Sequence, residues 1–366
     1  MDAQRIEQLE SIGYLRGTRE ETRSGVSVHF RAKAHQGLNL YTSAHAPEAI
    51  LMDMEGRTLH TWRFSYRDAF GPPKRAKSNA YWWRRIHVYP NGDLLAIFSG
   101  LGVVKINRDS ELLWSNPIPA HHDLEVQPNG DIYTLTRAAR MIPRIHPRAP
   151  ILEDFISVLD PDGGEKLRIS LLEAFENSPH RDLIFEGKRK EGDLFHTNTL
   201  AVLDGRIEAR SPPFAKGRIL TAMNALGVVA VVDLPSRSIV WVRKTPPTGQ
   251  HDPQILANGN LLLFENHENS GHSQVMEIDP VDFDVRWSYG GSDEQPLYSK
   301  FLGAVQRLPN GNTLITESDA GRALEVTPIG EIVWQFHNPR RSGDRDEYIA
   351  TLPELLRLPT DFAEGW

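Results

Sequence analysis

Gln250-His251-Asp252-Pro253-Gln254-Ile255-Leu256-Ala257-Asn258-Gly259-Asn260-Leu261-Leu262-Leu263-Phe264-Glu265-Asn266 holds an apolar run, an Asn-Gly turn and a second apolar run. Asn-Gly tolerates positive φ at both central positions, so the stretch predicts a type I′ hairpin. A polar pair, His251 and Asp252, stands just ahead of the first strand. The pattern recurs. Further inner hairpins turn at Asn91-Gly92, Asn129-Gly130, Asp204-Gly205 and Asn310-Gly311. A second strand pair belongs to each unit, over 50–62, 103–114, 156–167, 228–241, 274–287 and 323–334, and most of these end in Trp. The first unit has an inner strand near residues 38–43 but no clear Asn-Gly.

Four strands per unit, six units and a period of roughly 45–50 residues predict an all-β fold, a six-bladed β-propeller. Hairpin turns demand antiparallel neighbours, which argues against a parallel solenoid. The Gly-His and Trp-Asp dipeptides of WD40 repeats do not recur: Gly-His occurs once, at Gly271-His272, and Trp-Asp nowhere. The recurrent Trp residues read as large apolar anchors between blades. Residues 1–25 are expected to form a short amphipathic helix, over 6–14, and a charged connector. Residues 26–366 are expected to form one propeller domain with a C-terminal extension. An early strand over 26–30 can complete the last blade. The segment 348–358 is expected as a helix or strand packed on the ring. Two insertions, 66–79 followed by Tyr81-Trp82-Trp83-Arg84-Arg85, and 138–150 with Arg140, Arg144, His146 and Arg148, read as solvated rim loops.

Composition narrows the chemistry. The 366-residue chain carries a formal charge of -7, so no global basic field favours nucleic acid. It has no cysteine, which excludes disulfides, thiolate metal sites and cysteine nucleophiles. No apolar run reaches the length of a membrane span. Its first residues lack the apolar core of a signal peptide, so cytoplasmic residence and export with the leader removed both stay open. Walker, dinucleotide and Gly-x-Ser-x-Gly motifs are absent. Asp160-Pro161-Asp162-Gly163 begins like a calcium loop but lacks the later ligands and reads as a turn.

Four inner-strand entrances carry histidine: Ile86-His87, His121-His122-Asp123, Phe195-His196-Thr197-Asn198 and Gln250-His251-Asp252. In a propeller these entrances converge on the axis at one face. Two chemistries suit such a cluster. A neutral imidazole is a nucleophile and general base near neutral pH. Alternatively, His87, His122, His196 and His251 form a ready set for a transition metal. A third reading is a propeller that binds without catalysis.

With these residues in view, the chain resembles the arylsulfate sulfotransferase family. The resemblance runs from about residue 37 to 358. It rests on His122-Asp123, His196-x-Asn198, Gln250-His251-Asp252 with Gly259-Asn260-Leu261 and Phe264-Glu265-Asn266, and Glu325-Val326-Thr327-Pro328 with Trp334. It implies a six-bladed propeller, mostly periplasmic in the family, that moves a sulfuryl group from an aryl sulfate to a phenol through a sulfated histidine, without a nucleotide cofactor. On this reading His251 is the nucleophile. His122 and His196 polarise the sulfate oxygens, and Asn198 assists. Asp252, Asn224 and Arg210 complete the expected substrate contacts. No metal is implied. One departure stands out. The family's Leu-x-Ser-x-Arg strand aligns with Ile219-Leu220-Thr221-Ala222-Met223-Asn224, so the arginine's place falls on Asn224. Arg210, Arg218 or an arginine of residues 138–150 is the expected replacement.

Overall fold

The computed structural model describes residues 5, 16–17, 19–73, 78–186, 191–244, 249–267 and 271–366; the helix expected over 6–14 lies outside them. Six antiparallel sheets form the blades of a propeller. From the axis outward, blade 2 is Ile86–Val88, Leu94–Phe98, Gly102–Ile106 and Leu112–Asn116. Blade 3 is Ala120–Val126, Ile132–Met141, Pro150–Leu159 and Glu165–Ser170. Blade 4 is Thr197–Val202, Ile219–Met223, Val228–Asp233 and Ser238–Lys244. Blade 5 is Gln250–Ile255, Leu261–Glu265, Gln274–Ile278 and Val285–Tyr289. Blade 6 is Ala304–Arg307, Thr313–Glu317, Arg322–Val326 and Ile332–His337.

Blade 1 closes the ring with the other end of the chain. Its order is Leu355–Leu358, Leu38–Thr42, Glu48–Met52 and Thr58–Arg63. The expected inner strand near 38–43 is therefore the second strand, and the C-terminal segment lies innermost. The N-terminal strand Gly25–His29 adds a fifth, outer strand to blade 6, pairing with Ile332–His337. Both chain ends thus bridge the seam between the first and last blades.

The apolar runs of the sequence are the second strands. Leu94–Phe98, Ile219–Met223 and Leu261–Glu265 are buried at every position, because blades cover both faces. Outermost strands such as Thr58–Arg63 are largely exposed. The anchoring Trp residues also carry a polar link. Nε1 of Trp62, Trp114, Trp287 and Trp334 donates to the carbonyls of Gly92, Pro161, Pro328 and Met54, each in the next blade, at 2.8, 3.0, 2.8 and 2.9 Å. The hairpin turns differ from the expected type I′. Gly92, Gly130, Gly259 and Gly311 have φ between 84° and 88°, but no positive φ occurs at the preceding asparagines. Leu256 N–H reaches Asn260 O and Gly259 N–H reaches Leu256 O, a type I turn with a left-handed glycine bulge.

Residues 138–150 are not simply a rim loop. Blade 3's two middle strands each run for ten residues and stay paired from Ile132↔Leu159 to Met141↔Pro150. This carries the hairpin beyond the ring.

Candidate active site

The inner strands present their first residues to the axis, and the chain places charge there. Arg85, just before blade 2's inner strand, pairs with Asp123 of blade 3 at 2.8 Å, Asp252 of blade 5 at 3.4 Å and Glu354 at the head of blade 1's inner strand. Burial works against the guanidinium charge, but the three carboxylates outweigh it and raise its pKa. Burial pushes Glu354 up to about 7 despite Arg85. The same aspartates hold neighbouring blades together. Asp123 Oδ2 accepts from Leu200 N of blade 4 at 3.0 Å, and Asp252 Oδ2 from Val305 N of blade 6 at 2.9 Å. Asn198 Nδ2 donates to Gln250 O of blade 5 at 2.9 Å. A belt of polar contacts therefore fixes the register of the blades at the height of the entrances.

Local backbone geometry aims these residues. His122, His196 and Asp252 have φ of 57°, 47° and 51°, in the left-handed region that non-glycine residues seldom occupy, though His and Asp do so more readily than most. Each lies beside a break in strand register, opposite Thr134/Leu135, at Thr197/Thr199 and at His251/Gln254. A bulge with left-handed backbone turns a side chain off the strand direction. Holding it there costs on the order of 1–3 kcal/mol per residue, which the surrounding ring must offset.

Three of the expected histidines lie together. The rings of His122 and His196 are 5.3 Å apart, edge to face. His251 is within the electrostatic reach of His196 and of Arg84. Its Nδ1 is 2.6 Å from Asn266 Oδ1. Asn266 Nδ2 donates to the carbonyls of Ser299 and Leu302 at 2.7 and 2.5 Å. These two bonds fix which end of the amide is oxygen. The imidazole must then donate from Nδ1, leaving the lone pair on Nε2. Burial, helped by Arg84, lowers the His251 pKa to about 3, so the ring is neutral at physiological pH. His196 Nδ1 is held by Asp193 Oδ2, and its backbone N–H by Asp193 Oδ1 at 3.0 Å.

The cations of the site went unread in the sequence. Arg84 and Arg137 are each 5% exposed. Arg84 bears on both His122 and His251, and Arg137 on His121 and His122; after burial itself, these neighbours help drive the imidazoles to the neutral form. A legible signal existed for Arg84. The run Trp82-Trp83-Arg84-Arg85 leads directly into an inner strand, and its two tryptophans are fully buried. It is therefore an entrance of blade 2 rather than a rim loop. Glu354 escaped because its strand comes from the far end of the chain.

Other expectations are corrected. Arg210 pairs with Asp279 at 3.1 Å and the Gly259 carbonyl at 3.3 Å, beside blade 5's hairpin turn at the opposite end of its inner strand from His251. Arg218 pairs with Asp233, and Arg140 and Arg144 with Glu153 and Glu176, so none of these replaces the family arginine. Asp252 is held by Arg85 and by a neighbouring blade instead of facing substrate. Asn224 does lie beside the site, its backbone N–H donating to His196 O at 3.1 Å. His87 packs edge-on against Tyr89 at 4.8 Å, near Lys105, because its side chain follows the alternation of its strand. The four-histidine metal set is therefore not assembled, and no group of three or more His, Asp or Glu side chains among the described residues is placed to hold a metal ion.

Comparisons with known proteins agree with this architecture. Of the solved structures that match, a protein of unknown function from Bacteroides caccae superposes with a TM-score of 0.57 at 13% identity, over 88% of this chain and 98% of that one. Virginiamycin B lyase from Staphylococcus aureus matches at 0.47 and 13%, over 87% and 86%. The Cps50 (Swd1) β-propeller domain from Myceliophteria thermophila matches at 0.48 and 12%, over 87% and 91%. At such identity the first of these likenesses speaks to fold alone. No curated protein matches the chain. A family profile described as Arylsulfotransferase (ASST) matches residues 85–339, from the axial arginine to the end of blade 6, and the chain belongs to that family.

Proposed function

We propose that this protein transfers a sulfuryl group from an aryl sulfate to a phenol through N-sulfated His251, with no metal or nucleotide taking part. The observation that carries the reading is the fixed tautomer of His251: Nδ1 tied to Asn266, the ring neutral, and Nε2 left as the nucleophilic atom. His196, within electrostatic reach of His251, and His122, packed edge to face on His196, are the groups to orient and polarise the sulfuryl oxygens. Arg84 supplies the cation that Asn224 does not. A buried guanidinium beside a transferring anionic group acts in a water-poor site, where a preorganised charge has its largest effect. Family membership supports aryl sulfates and phenols as the substrate classes, and periplasmic residence follows as part of the same proposal.

The test is incubation with 4-nitrophenyl sulfate in the absence of acceptor, followed by mass analysis of the intact protein. Addition of one sulfuryl group, mapped to His251 and absent in His251→Ala, is the expected result. Turnover with a stoichiometric metal bound, and no labelling of His251, would sink the proposal.

A further inference from the structure

The two-step transfer just proposed moves a proton twice, and the structure holds a chain of groups suited to it. In the first step a basic phenolate takes up a proton as it leaves; in the second, the acceptor phenol gives one up. His122 Nδ1 lies 2.6 Å from His121 Nδ1. His121 Nε2 faces Asp154 Oδ1 at 3.6 Å, just beyond hydrogen-bond reach, so the link closes only as the two approach; neither atom has another hydrogen-bond partner among the described residues. The other carboxylate oxygen, Asp154 Oδ2, accepts from Thr197 N at 3.0 Å and Thr197 Oγ1 at 2.6 Å. All of this is buried: His121 is 1% and Asp154 0% exposed.

We infer that His121 and Asp154 form a proton store behind His122, giving a proton to the departing phenol and recovering it from the acceptor. The inference rests on the sulfuryl-transfer reading. Thr197 occupies Oδ2, so a proton on Asp154 sits on Oδ1 and faces His121. His121 then accepts at Nε2 and donates from Nδ1. His122 accepts at Nδ1 and carries its proton on Nε2. In the first step the His251 Nε2–sulfur bond forms and the sulfur–aryl oxygen bond breaks. The aryl oxygen leaves with the electron pair and takes the proton from His122 Nε2. His122 is refilled at Nδ1 by His121, and His121 at Nε2 by Asp154, which becomes a carboxylate. In the second step the acceptor oxygen bonds to sulfur, the sulfur–nitrogen pair returns to His251, and the phenol proton enters at His122 Nε2. The chain then runs backward to Asp154. Both histidines stay neutral in each resting state, and no net proton is gained or lost.

The surroundings favour a proton held at Asp154. Burial and the nearby carboxylate of Asp193 raise its pKa to about 7, with Thr197 and Arg137 acting in the opposite direction. The charged and titratable groups that bear on the two histidines of this network are Arg84, Arg137, Asp193 and His196.

The decisive variant is Asp154→Asn. A carboxamide keeps the acceptor for Thr197 and a donor toward His121, but it cannot pass a proton. With 4-nitrophenyl sulfate, whose phenolate leaves unaided, the variant should retain most of its first-step burst. With phenyl sulfate it should lose at least about tenfold more, within the range of general acid–base catalysis. Equal losses for both donors would overturn the relay. His121→Gln should show the same split and serves if Asp154→Asn does not fold. Infrared difference spectroscopy supplies a readout independent of turnover: a protonated carboxyl band near neutral pH in the wild-type protein, missing in Asp154→Asn. Absence of that band in the wild-type protein would overturn the store. A protein inert toward every aryl sulfate would instead remove the sulfuryl-transfer reading, and the band would still decide whether Asp154 holds a proton.

Discussion

Asn266→Ala separates a nucleophile from a mere histidine. The substitution removes three side-chain hydrogen bonds: the one from His251 Nδ1 and those to the Ser299 and Leu302 carbonyls. Ser299 O keeps a partner in Ser273 Oγ at 3.1 Å. Among the lost partners, the Leu302 carbonyl and the His251 N–H remain in a buried setting. Each orphaned group costs about 1–3 kcal/mol, so a loss of about 2–6 kcal/mol in stability is expected, read from the urea midpoint. The catalytic effect is separate. Without the amide oxygen the proton of His251 is no longer confined to Nδ1, and the ring is no longer held in place. Removing the orienting partner of a catalytic histidine in serine proteases lowers kcat by about 10⁴. Here a loss on the order of 10²–10⁴ is expected in the single-turnover sulfation rate with 4-nitrophenyl sulfate, at a temperature where the variant is folded. Ser273→Ala is the control. It removes bonds to the Asn266 and Ser299 carbonyls but leaves the Asn266 amide on His251, so it should cost stability and spare the rate. The tautomer argument fails if Asn266→Ala sulfates at the wild-type rate, or if Ser273→Ala slows as much.

Arg84→Gln should lower kcat/KM for aryl sulfates by about 10²–10³, the usual effect of losing one preorganised partner of a developing charge; Arg210→Gln should leave it within threefold, on the order expected for a residue outside the site. Arg85→Met strips a buried cation from three carboxylates and should destabilise by about 3–5 kcal/mol in denaturant titrations. Glu354 binds its proton more tightly folded than unfolded, its pKa raised from 4.5 to about 7. The folded state therefore binds more protons across that window, and stability should fall as pH rises from about 4.5 to 7, with Glu354→Gln flattening the decline. Trp334→Phe removes the bond to Met54 O across the closing seam and should cost about 1–3 kcal/mol, measured by thermal or urea unfolding.

The sequence by itself determined the repeat. Turn glycines must take positive φ, second strands are covered on both faces, and most outer strands carry a Trp; each is a local requirement that leaves a local mark. It also placed His122, His196 and His251 at equivalent entrances, because strand period and turn position set where an inner strand begins. Tertiary structure decided what no local pattern encodes. Which segment lies innermost in blade 1 depends on ring closure between residues 355–358 and 38–42, far apart in the chain. That closure is what brings Glu354 to Arg85. The same dependence hid Arg84, which only the assembled ring buries, and made Arg210 look available when Asp279 already held it. A residue's type and position in its strand are local facts. The partner that fixes its charge comes from another blade, as Glu354 does for Arg85, whereas Asn266, which fixes the tautomer of His251, lies at the end of the same hairpin, where strand register alone brings it near.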